Sequence, residues 1–168
     1  MAYTDHYKLT DDVIAHLNTV IGGITDPFIA TRYVGFVAIA SVTVYELAIK
    51  EIFIDFGEKK HKALGAFTRS FFNRINGRIK VTNIRDDYIK RFGEKYVKRF
   101  RRKLNEAENQ NLRNHGISIL SSYANIITWR HEFVHEGKIP STATYFEITN
   151  SYEAGKEVIR CLAETMQR

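Results

Sequence analysis

Only two prolines, Pro27 and Pro140, occur in this 168-residue chain, and neither falls inside a long periodic run. Proline removes a backbone donor and clashes with the preceding helical turn, so its scarcity leaves long helices permitted almost everywhere. Apolar residues then recur at helical spacing. Val13, Ile14, Leu17, Val20 and Ile21 predict a helix over 11–21. Asp26 is placed to cap the next helix with Pro27 at its first position, and that helix should run to about Phe56, where Gly57 can end it. Leu64, Phe67, Phe71, Phe72 and Ile75 define a helix over 62–76, closed by Gly77. Residues 78–82 could pass for a short strand, but no second strand candidate exists to pair with them, so they read as a loop. A helix over 86–109 has one weak point at Gly93, which costs about 1 kcal/mol against alanine and can divide it. Another covers 117–136, stopped by Gly137 and Pro140, and the capping box Thr144-x-x-Glu147 starts the last one. The expectation is an all-α helical bundle with residues 1–168 in a single domain.

Residues 33–49 form the most apolar tract, but Ser41, Thr43 and Glu46 interrupt it and it falls short of a membrane span. It reads as a buried central helix. The lone Cys161 cannot form an internal disulfide, which points to a reducing compartment. The first six residues lack the basic and apolar regions of a secretory signal. A cytoplasmic protein without membrane association is expected. The excess of 25 Lys and Arg over 19 Asp and Glu gives a charge of +6 and a pI near 9.4, which favours acidic partners such as RNA.

Residues 130–137, Arg-His-Glu-Phe-Val-His-Glu-Gly, carry the chemistry, and they read in two ways. On the helix that holds them, Ser121, Ser122, Asn125, Thr128, Glu132 and Glu136 collect on a polar arc. Arg130, His131 and His135 fall with the apolar group that includes Ile126, Ile127, Phe133 and Val134. An arginine turned toward such a surface must find an acid, a partner subunit or a phosphate. Arg130 and His135 diverge by about 140° and lie about 7.5 Å apart along an ideal helix, so they do not converge neatly within one chain. A long Arg side chain near a helix end can close part of that gap, and two copies meeting across a two-fold axis could close the rest by pooling their groups.

This segment resembles that of the HEPN superfamily, all-α domains whose nuclease members carry Arg, a polar residue, further residues and then His on a late helix. The form from Arg130 to His135, followed by Gly137, is most similar to the RiboL-PSP type. The long apolar helix containing Tyr45-Glu46-Leu47 and the capped last helix extend the likeness over most of the chain. The resemblance implies a metal-independent endoribonuclease acting as a homodimer, a toxin or antiviral effector with a cognate antitoxin or defence partner. Arg130 and His135 match the invariant pair, and His131 the variable polar position. In one subgroup a tyrosine two residues past the histidine is modified to silence the toxin; Gly137 stands there in this chain. Physically the pair suits RNA cleavage. An imidazole exchanges protons near neutrality, and a guanidinium offers a permanent charge and a donor fork to phosphoryl oxygens. A catalytically silent HEPN-like module that binds RNA or protein is the alternative.

The second reading is His131-Glu132-x-x-His135, two imidazoles four apart with a carboxylate beside them, which is a zinc-peptidase signature. The extended form of that motif is absent, and Glu153 or Glu157 would have to supply a third ligand. The metal-free reading is preferred, so no cofactor is expected. Elsewhere, eight basic residues lie between Lys90 and Lys103. Lys95, Lys98, Arg101 and Arg102 share a helix side with Arg91, opposite Tyr88, Phe92, Tyr96, Phe100 and Leu104. The aromatics read as core; the cations read as an RNA-backbone track or a solvated face. Lys59, Lys60, His61 and Lys62 read as a solvated loop between helices. Glu46, the only charge in its apolar tract, needs a partner. Arg130 or a motif histidine is the choice, with a surface lysine as the alternative.

Overall fold

A computed structural model describes residues 2–24, 26–140 and 143–167. Every regular element among them is helical. After a 3-10 turn at Tyr3–His6 come α1 (Tyr7–Ile21), α2 (Pro27–Thr31), α3 (Val34–Lys60) and α4 (Lys62–Phe72). A π turn at Asn83–Tyr88 and a 3-10 turn at Ile89–Phe92 lead into α5 (Glu94–His115), α6 (Ile119–His135) and α7 (Tyr145–Met166). None of the helices described is long and apolar enough to cross a membrane.

The apolar tract forms the axis of the bundle. Val37, Ala38, Val44, Tyr45, Ala48, Ile49 and Phe53 have no exposed surface, because α1, α4, α6 and α7 all pack on α3. A helix apolar on every side is stable only when covered on every side. At its centre Tyr45 stacks on Tyr123 of α6 at 5.2 Å and on Tyr152 of α7 at 5.8 Å. The Tyr45 hydroxyl donates to the Tyr152 carbonyl at 2.6 Å, and the Tyr123 hydroxyl to the Ile79 carbonyl at 2.7 Å. Buried hydroxyls without such acceptors would be costly.

Several boundaries depart from the expected ones, each for a local reason. Asp26 does cap α2, accepting from Phe28 N at 2.9 Å, but i−3 bonds at Arg32 and Tyr33 interrupt the ladder before α3. Gly57 does not end α3. It lies buried where α4 crosses, and an added Cβ there would collide with Thr68, so its smallness serves packing rather than termination. The chain instead turns at His61, whose Nδ1 accepts from Ala63 N at 3.2 Å and caps α4. Lys59 and Lys60 are therefore helical, not loop. Helix α4 stops at Phe72, short of the expected 76. Gly93, at φ 112, does divide its helix. Thr144 and Glu147 form the expected capping box of α7.

Helix α3 also measures the molecule. Near its start an added Cβ at Gly35 would collide with the ring of Phe133 on α6; near its other end Phe56 meets Tyr96 of α5 edge-on at 5.6 Å. These two levels are about 30 Å apart at 1.5 Å per residue.

Candidate functional site

Ser118 starts α6 by accepting from Ser121 N at 3.0 Å and donating to Glu108 at 2.6 Å. The helix then buries Ile119, Ser122, Tyr123, Ile126 and Trp129, a stripe that fixes its rotation. Arg130 follows Trp129 and is half-buried at the edge of this stripe, while His131 and His135 are exposed. Sequence patterning places both histidines on the apolar face and Ser122 on the polar arc; the structure reverses all three. Past Trp129 the helix overruns the core, with Phe133 seated on Gly35 as its last anchor, and Val134 is 44 % exposed.

At this overhanging end Arg130 Nη1 lies 2.8 Å from His135 Nε2. Arginine has donors only, so the imidazole nitrogen accepts. The side chain of Arg130 runs toward the helix C-terminus and closes the axial gap. The two groups thus meet within one chain: the long Arg side chain closes the whole of the gap that an ideal helix leaves, not only part of it. The His131 ring lies 5.0 Å from that of His135, and its Nε2 is 3.7 Å from Glu136 Oε1. Lys138, 2.7 Å from Glu136, holds that carboxyl below the usual carboxylate range. A permanent cation, two imidazoles and an anion therefore share one exposed helix end. Such a set can hold a phosphate and exchange protons with it.

Gly137 follows with φ 63. A side chain at this left-handed position costs roughly 1–2 kcal/mol, a conformational reason for glycine at the turn that ends the motif.

The other sequence-selected residues are placed elsewhere. Glu46 faces neither Arg130 nor a histidine. It binds Lys50 Nζ at 2.7 Å and accepts from Gly77 N at 2.5 Å, so it fastens the loop after α4 to α3. For the zinc reading, Glu153 pairs with Lys156 and Glu157 with Arg160 on α7. Both line a groove against the C-terminal half of α5, so neither completes a ligand set with His131 and His135. Among the described residues no group of three His, Cys, Asp or Glu side chains could hold a metal ion.

Lys95, Lys98, Arg101 and Arg102 are exposed on α5, while Tyr88, Tyr96, Phe100 and Leu104 are core. Arg102 pairs with Glu106 at 3.0 Å. Asp86, gripped by Arg85 and lying near Arg101 and Lys90, is held below the usual carboxylate range. This basic face begins at the Tyr96 level of α3, the opposite end from Phe133.

Sequence patterning does not reveal which large apolar residues stay uncovered toward this end of the bundle. Phe36, 55 % exposed, packs edge-on against Phe133 at 5.6 Å. Phe28, Ile139 and Phe146 are also exposed, on α2, the loop after α6 and the first turn of α7. The glycine inside the apolar tract, Gly35, is the one available signal of a close crossing there.

A family model described as RiboL-PSP-HEPN matches residues 4–168. No curated protein and no solved structure gave a match.

Proposed function

Since the chain belongs to the RiboL-PSP-HEPN family, in a superfamily of nuclease and RNA-binding domains, we propose that it is a metal-independent endoribonuclease with Arg130 and His135 as its reacting pair. The observation that carries this reading is the 2.8 Å approach of the guanidinium to the imidazole on an exposed helix end. In the proposed reaction a ribose 2′-oxygen attacks the adjacent phosphorus and the bond to the 5′-oxygen breaks. His135 takes the 2′-hydroxyl proton or gives one to the leaving 5′-oxygen, and water carries the other of these two protons. Arg130 turns its donors to the phosphoryl oxygens as their charge grows, and His131 contacts the phosphate or orients it. The need for a 2′-hydroxyl selects RNA over DNA.

A homodimer fits the same end of the bundle. Phe28 is 82 % exposed and Phe146 72 %, with Phe36, Val134 and Ile139 also uncovered. Monomeric proteins rarely leave several large apolar residues open at one end, and a second copy would cover them symmetrically. The role is that of a cytoplasmic toxin or antiviral effector restrained by a cognate partner.

Mixed RNA incubated with the protein in EDTA should yield 2′,3′-cyclic phosphate and 5′-hydroxyl ends. Products with 3′-hydroxyl ends would rule the mechanism out, loss of activity to the chelator would support a metal enzyme, and an inert protein would support a silent binding module. The exposed α5 cations, Lys95, Lys98, Arg101 and Arg102, are proposed to attract the RNA backbone. Replacing Lys98, Arg101 and Arg102 by Glu should weaken binding and flatten its dependence on log salt by about two units, since each phosphate neutralised on a single strand contributes roughly 0.7 to the slope. An unchanged slope would leave this face a solvated surface.

A further inference from the structure

The loop between α4 and the π turn is pinned from three sides. Gly77 N donates to Glu46, the Tyr88 hydroxyl to the Arg78 carbonyl at 2.7 Å, and the Tyr123 hydroxyl to the Ile79 carbonyl. Its backbone is fixed while Arg74, Arg78 and Lys80 remain exposed. On one side of it lies a cavity of about 420 Å³ lined by Phe67, Phe71, Arg74, Arg78 and Tyr88. On the other, a groove of about 360 Å³ runs between Lys80 and α6, past Leu120, Ala124, Ile127 and Thr128. From Thr128, His131 and His135 lie three and seven residues further on, along the same helix face. The groove therefore leads along α6 toward the Arg130–His135 pair, and the loop joins it to the cavity.

The chemistry of the cavity is specific. Phe67 is 50 % exposed and lies nearly parallel to Phe71, 6.0 Å away at an interplanar angle of 15°. The Arg91 guanidinium sits 4.6 Å from the Phe71 ring centroid. Arg78 reaches Asp87 only at 3.3 Å, with both side chains well exposed, a surface pair that a phosphate can displace. An open aromatic face ringed by arginines is the arrangement on which unpaired nucleobases stack while their phosphates are neutralised. Duplex bases have no free face to offer.

We propose that this surface is a single-stranded RNA path: a base stacks on Phe67, its phosphates contact Arg74, Arg78 and Lys80, and the strand follows the groove along α6 to His135. The proposal rests on the ribonuclease reading for the direction of travel, not for the stacking site. The groove accompanies α6 from Leu120 to Thr128, and from Leu120 to His135 the helix spans about 22 Å, so di- and trinucleotides are too short to reach from the start of the groove to the pair.

The test uses full-length protein and uncleavable 2′-O-methyl RNA twelve nucleotides long, with 2-aminopurine scanned along it, beside the same strand in a duplex. Wild type should quench the probe at one position and prefer the single strand. Phe67→Ala should abolish the quench and weaken affinity roughly five- to a hundredfold, the range for loss of one stacked base. Arg74→Glu with Arg78→Glu, a second variant altered only at exposed side chains, should weaken binding and flatten its salt dependence. Equal affinity for duplex and single strand, or an unchanged quench in Phe67→Ala, overturns the path and leaves the surface to a protein partner. Cleavage of unmodified RNA is read separately. A Phe67-dependent quench in a protein that never cuts keeps this site and removes the nuclease reading; cutting with no response to Phe67 does the reverse.

Discussion

Arg130→Ala and His135→Ala are each expected to lower RNA cleavage in EDTA by about two to four orders of magnitude, with little change in thermal stability. The size follows from the roles: a positioned proton carrier contributes roughly 10²–10⁴-fold, and a donor aimed at transition-state charge about 10²–10³-fold. Stability should stay within about 0.5 kcal/mol, as for surface positions generally, since His135 is exposed and Arg130 sits at the edge of the buried stripe. Because the two groups touch, they should act as a unit, and the double variant should fall little below the worse single one. Arg130→Lys keeps the charge and loses the planar fork, so it should recover only part of the rate. One protomer assembles the whole pair, so mixing Arg130→Ala subunits with His135→Ala subunits should restore no more than background activity. Wild-type turnover in either single variant, or full complementation in the mixture, would place the chemistry elsewhere.

The second large effect is on stability. Gly155→Ala should destabilise the fold by about 3 kcal/mol or more, the upper part of the range for overpacking, lowering Tm by roughly 6–12 °C. An added Cβ would collide with the Tyr45 hydroxyl and lie 3.1 Å from its Cζ. Tyr45 has no exposed surface and is held in the stack with Tyr123 and Tyr152, so it has nowhere to go. Tyr45→Phe alone removes one buried hydrogen bond, at about 1 kcal/mol. In the Gly155→Ala background it should instead recover stability by making room. Calorimetry of the four proteins measures the coupling; additive losses would mean that the hydroxyl is not the obstacle.

The helices are legible in the sequence because periodicity and caps are local: Asp26, Gly93 and the Thr144–Glu147 box act where the sequence places them. Gly57 misleads because a glycine that ends a helix and one that admits a neighbour are the same letter, and only the crossing of α4 distinguishes them. Arg130 and His135 can be named from their spacing, yet their meeting depends on a side-chain path that an ideal-helix projection cannot represent. Glu46 does need a partner, as its apolar surroundings imply, and the neighbouring lysine offered as the alternative is one of the two, Lys50; the other, Gly77, lies 31 residues away and carries no side chain to advertise itself. Phe67 matches the apolar stripe of α4 and so reads as core, although only Phe72 and Ile75 at the far end of that stripe are buried.

Trp129 is the chain's single tryptophan. It is 7 % exposed and immediately precedes Arg130, so its indole emission comes entirely from the helix turn that carries the Arg130 guanidinium. Excited at wavelengths that the nine tyrosines do not absorb, the indole of this molecule is therefore a one-site optical signal. Ligand arrival, subunit pairing and local melting at that turn can each be followed without attaching a dye.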